Sequence, residues 1–146
     1  MPSEEYTPDE RSGDGLSPEL STQRLRRQTQ RDFEIEFFGR ILERDPYHVA
    51  ALRAHANNLA ARGDYNRALQ IDRRLVRLQP EKSIPWYNLA CSYAMLGMID
   101  PAFEALERAL SNGYRHFEIL TRDPDLKSLR RDPRLARLLN RYADWF

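Results

Sequence analysis

Apolar residues recur at helical spacing along most of this chain. Phe33, Phe37 and Ile41, with Phe38 and Leu42 beside them, fall at i, i+4, i+8. That spacing predicts one apolar stripe on a helix running to about Arg44, where Asp45-Pro46 closes it. Upstream, Ser17 can cap and Pro18 suits a first helical turn. Residues 23–31 are rich in Gln and Arg, which are good helix formers.

The pattern repeats when the chain is slid by 34 residues. Pro46 lands on Pro80, Ala56 on Ala90, Ala60 on Ala94, Gly63 on Gly97, Ala68 on Ala102 and Arg74 on Arg108. Apolar classes align as well: Leu52 with Trp86, Leu59 with Tyr93, Leu69 with Phe103. A period of this length predicts a helix–turn–helix unit. First helices are expected at about 49–61 and 83–96, second helices at about 65–78 and 100–112. Gly63 and Gly97 are expected to make the tight turns. Asp64 is expected to cap one second helix and Asp100, before Pro101, the other. Small alanines allow close helix approach, and the large residues at 52, 59, 86 and 93 fill the space around them.

Trp86-x-x-Leu89-Ala90-x-x-Tyr93, followed by Ala102 and Ala109, resembles the tetratricopeptide repeat (TPR) signature. The unit before it matches more loosely through Leu52, Ala56, Leu59, Gly63, Ala68 and Pro80. The resemblance covers about residues 33–116. It implies an all-α fold: a short TPR α-solenoid of antiparallel helix pairs, with repeats at about 49–82 and 83–116. The stretch at about 33–48 reads as a partial repeat. After Asn112-Gly113 the pattern departs, and Tyr114 stands where the family usually has proline. A short helix at 115–121 is expected there. Asp123-Pro124 and Asp132-Pro133 then predict helices at about 124–130 and 133–145. Residues 117–146 read as a helical cap closing the last face.

Composition bounds the rest. The chain has 146 residues, enough for one domain, with 41% hydrophobic and 31% charged residues. The total charge is +1. The first twenty residues hold six acids, Glu4, Glu5, Asp9, Glu10, Asp14 and Glu19, against Arg11 alone. That net of −5 leaves +6 on the remainder. Rich in Pro, Gly and Ser, residues 1–17 read as a disordered acidic arm on a helical domain of 18–146. No apolar run approaches a membrane span, and the N-terminus lacks the apolar core of a secretory signal. The single cysteine, Cys91, excludes an internal disulfide and a cysteine cage for metal. A cytoplasmic location is the expectation.

Catalytic signatures are absent from the sequence: no phosphate loop, no HExxH, and His48, His55 and His116 scattered over different elements. No enzyme activity, metal or cofactor is expected. Arg130, Arg134, Arg137 and Arg141 form a stripe, and Arg24, Arg26, Arg27 and Arg31 crowd the first helix. Both read as solvated faces, and nucleic acid is not an expected partner.

The resemblance implies a groove lined by the first helices, here by Ala50, Arg53, Asn57 and Ala60, then Ile84, Tyr87, Asn88, Cys91 and Ala94. Some TPR proteins grip a peptide's terminal carboxylate there. Arg53, Asn57 and Asn88 match three positions of that clamp. Two further cations would fall at Glu118, which has the wrong sign, and Arg122. The expected peptide groove is therefore Arg53, Asn57, Tyr87, Asn88, Cys91 and Arg122, a polar surface with Tyr87 as an aromatic floor. The implied function is non-catalytic protein–protein interaction, as adaptor, scaffold or co-chaperone, with a protein or peptide partner and weak self-association. The alternatives are a regulatory subunit or detached domain of a larger enzyme, and a small TPR chaperone for a secreted partner.

Overall fold

The computed structural model describes residues 18–143. The expected acidic arm and the end of the last predicted helix lie outside these residues. Every regular element described is helical: α1 (Pro18–Arg44), α2 (Val49–Ala61), α3 (Tyr65–Leu78), α4 (Ser83–Met95) and α5 (Ile99–Ser111). After them come α6 (Phe117–Arg122), a 3-10 turn (Pro124–Leu126), α7 (Lys127–Arg130) and α8 (Pro133–Ala143). Among the described residues, no helix is long and apolar enough to cross a membrane.

Each of the first four helices packs against the next. Small side chains meet at these contacts: Ala51, Ala56, Ala68, Ala90, Ala102 and Ala109 are all buried, with Leu52, Leu59 and Leu106 filling between them. One core joins Val76 of α3 through α4 and α5 to Leu138 of α8. A smaller one holds Leu42 of α1 against Leu52 and Leu75. Trp86 packs against the larger core without being enclosed by it. It is only partly buried; its Nε1 donates to the Pro80 carbonyl at 2.9 Å, and the Arg108 guanidinium lies 5.5 Å from its ring centre.

The caps agree with expectation in one case and not in the other. Asp64 caps α3 through the Arg67 amide at 3.3 Å. α5 begins one residue earlier than expected, so Met98 occupies the cap position without a side-chain hydrogen bond. Asp100 lies in the first helical turn and pairs instead with Arg134 at 2.7 Å. His48 caps α2, its Nδ1 accepting from the Ala51 amide at 3.0 Å.

The 34-residue spacing continues past the point where the sequence pattern fades. α2, α4 and α6 start at 49, 83 and 117; α3, α5 and α8 start at 65, 99 and 133. The segment expected as a cap therefore keeps the register of a third unit. Its first helix is broken at Pro124, which occupies the position of Ala56 and Ala90. A proline there removes an amide donor and crowds the carbonyl four residues back. Arg130 serves the exposed carbonyls: its Nη1 donates to Asp123 O at 2.7 Å and Leu120 O at 3.4 Å. Two arginines of the α8 stripe are likewise paired. Arg134 binds Asp132 and Asp100 and lies 4.5 Å over Phe103, and Arg141 binds Glu107 at 2.7 Å.

Gly63 and Gly97 sit at φ of +84° and +73°, conformations that side chains disfavour. Gly39 is helical, and a Cβ there would meet His55 Cε1 at an ordinary 3.7 Å. Gly63→Ala should lower stability by about 1–2 kcal/mol. Gly39→Ala should raise it by about 0.5–1 kcal/mol. Denaturant midpoints of both variants check this; a gain at Gly63 would contradict the turn geometry.

Candidate functional site

The break at Pro124 turns the Asp123–Leu126 segment onto α4, with Leu126 fully buried against it. The Asp123 side chain accepts from the Asp125 amide at 3.0 Å, which caps the 3-10 turn. It also accepts from the Tyr87 hydroxyl at 2.5 Å and from the Cys91 thiol at 3.8 Å. The Tyr87 ring stacks on Tyr114 at 4.4 Å. These contacts tie the third unit to α4.

Between this segment and helices α2, α3 and α4 lies a cleft of about 350 Å³. Asn57, Cys91 and Asp125, spaced by 34 residues, line it together with Tyr65, Asp72, Tyr87, Asn88 and Asp123. Four of the six expected groove residues are thus in one place: Asn57, Tyr87, Asn88 and Cys91. Arg53 and Arg122 are exposed and do not line it. The acids that line the cleft are Asp72, Asp123 and Asp125, and neither arginine of the clamp pattern joins them. Tyr87 is buried and spends its hydroxyl on Asp123, so it supports the cleft wall more than it floors an open surface.

Asp72 is the residue whose role the sequence reading missed. It is 3% exposed, on the inner side of α3, and its Oδ2 accepts from Ser92 Oγ of α4 at 2.7 Å. Burial pushes its carboxyl up to about 7, with the Ser92 hydrogen bond opposing the rise. Asp125 is raised by burial and then by Asp123. The Cys91 thiol is pushed far up by burial and by Asp123 and Asp125, so it stays protonated and is a poor nucleophile. A signal for Asp72 was present. Ala68, Asp72 and Val76 fall at i, i+4, i+8, so a carboxylate interrupts an otherwise apolar stripe.

Cys91, Asp123 and Asp125 could each offer a ligand atom within 4.8 Å of the others. His55, seven residues from His48, is buried against α1 rather than facing it. Burial lowers its basicity, aided by Arg67 and Arg62.

No family model matches the chain. A curated protein of Arabidopsis thaliana, described as chloroplastic, does resemble it: over 87 residues the two are 34% identical. The match covers 58% of this chain and 26% of that protein. The chain thus spans about a quarter of the relative's length.

Proposed function

We propose that the chain is a TPR-type module that binds a protein or peptide partner non-catalytically in the cleft between α2, α4 and the Asp123–Leu126 segment. In this reading the helix pairs are antiparallel and stack side by side, as the resemblance implies. The observation that carries it is the alignment of Asn57, Cys91 and Asp125 along one cleft at repeat spacing. A peptide laid there would meet three successive units, and rigid helices would spare the receptor an ordering cost. The raised Cys91 thiol also supports a binding role over nucleophilic chemistry. The match to part of a longer relative fits a module that larger chains also carry.

Asn57 is exposed on α2 at the cleft mouth, so a bulky side chain there should plug it without touching the core. Asn57→Trp should keep the wild-type helical circular dichroism and lose at least tenfold in affinity for a partner identified by pull-down. A second face supplies the contrast. Phe33 and Phe37 stack on each other at 6.3 Å and are 64% and 50% exposed on α1. If binding survives Asn57→Trp and fails in the Phe33→Ser, Phe37→Ser pair, the interaction belongs to α1 and the cleft reading falls.

A further inference from the structure

We infer that the cleft selects a basic partner: it receives a lysine or arginine side chain, not the peptide carboxylate that the clamp pattern suggested. The inference rests on the cleft being the binding site, and it names the chemistry of what enters.

Three carboxyls converge on the cavity from two directions, Asp72 from α3 and Asp123 and Asp125 from either side of Pro124. No lysine, arginine or histidine lines it among the described residues. Arg130, at the end of α7, is committed to the backbone carbonyls of Leu120 and Asp123. Asp72 is nine-tenths buried and lines the cavity while making a hydrogen bond at Oδ2 alone; Oδ1 accepts none among the described residues. A carboxylate on a residue this enclosed is costly to ionise unless something charged or polar meets it. An ammonium or guanidinium brings the missing donors and the missing charge at once.

The neutral wall of the cavity suits the same guest. Ala56, Ala60 and Tyr65 offer apolar surface for the methylene stem. The side chains of Asn57 and Asn88 leave carbonyl oxygens for the head group or the peptide backbone. A carboxylate entering the same space would meet three acidic groups and no cation among the lining residues.

The test uses alanine pentapeptides, acetylated and amidated, with lysine, arginine, norleucine or glutamate at the centre. They are titrated into the full isotope-labelled chain while the side-chain amides of Asn57 and Asn88 and the Cys91 backbone amide are followed. Lysine and arginine peptides should move these signals and bind at least tenfold tighter than norleucine; glutamate should not move them. Affinity should weaken with added salt. Asp125→Asn, which carries no described side-chain hydrogen bond to lose, should weaken the lysine peptide at least threefold. Equal affinity for norleucine and lysine would overturn the inference and leave the cleft as a peptide site. No shift from any peptide, with Asn57→Trp still blocking the identified partner, would do the same. Shifts confined to other surfaces would remove both readings. Saturation of the same signals by Zn²⁺, Mg²⁺ or Ca²⁺ alone at micromolar concentration would make this a metal site and overturn the inference.

Discussion

Asp72→Asn should make the protein more stable at pH 8, on the order of 4 kcal/mol, while leaving it nearly unchanged at pH 4. The folded carboxyl titrates at about 7 and the unfolded one at 3.8. Between those values the native state binds the extra proton. Stability from this group therefore falls as pH rises through that window and levels off above it. Each unit of difference is worth about 1.4 kcal/mol. Asparagine keeps the shape and can still hydrogen-bond Ser92, but never has to ionise in the α3–α4 interface. Other groups pull the raw profile in other directions. His55, held neutral by burial, favours the folded state less as acid is added. Asp132, held low by the Arg134 hydrogen bonds, acts in the same sense. The difference between wild type and variant cancels both. Denaturant unfolding at several pH values measures it, and parallel profiles would show that Asp72 is ionised at no cost.

Leu126→Ala should cost about 2–5 kcal/mol, as for other fully buried leucines. The side chain is 0% exposed and joins the core that runs from α3 to α8. Its loss also removes the anchor that holds Asp123 and Asp125 over α4. Peptide or partner binding should therefore weaken more in this variant than in the equally buried Leu106→Ala, which lies on α5 away from the cleft. A stability loss under about 1 kcal/mol, or equal binding by both variants, would show that the segment is held by the Tyr87–Asp123 hydrogen bond alone.

The helices were readable because each leaves a periodic trace. α2 to α5 start and stop within a residue or so of where alanine, leucine and glycine placed them. The third unit was harder to read for a physical reason. Pro124 replaces the small alanine of that position and Arg131 stands where Gly63 and Gly97 make their turns, so the composition of the unit changes while its spacing does not. Asp100 shows the limit of cap reading: an aspartate before proline suits the cap, yet Met98 takes that place and Asp100 finds Arg134. Part of the cleft followed from repeat arithmetic, since Asn57, Asn88 and Cys91 share inner positions. Its charge was harder to read: Asp72 comes from α3 and Asp123 from the bend at Pro124, while Asp125 keeps the repeat spacing of Asn57 and Cys91 but lies beyond the point where the sequence pattern departs. Asp123 was legible only as a cap, yet it holds Tyr87 and Cys91 as well.

The Tyr87–Asp123 contact has a kinetic side. Among the described residues, α6, the 3-10 turn, α7 and α8 pack mainly on α4, α5 and one another, so they can open with little disturbance of α1 to α3. Two of the cleft's carboxyls sit on that outermost layer and one on the interior. Each opening event then takes the cleft apart and releases whatever it holds, long before the chain as a whole unfolds. The lifetime of a bound partner would be capped by the fraying rate of this layer, and amide exchange in α6 to α8 would serve as its clock. A guest bridging Asp72 to Asp125 would slow that clock by fastening the layer to the interior.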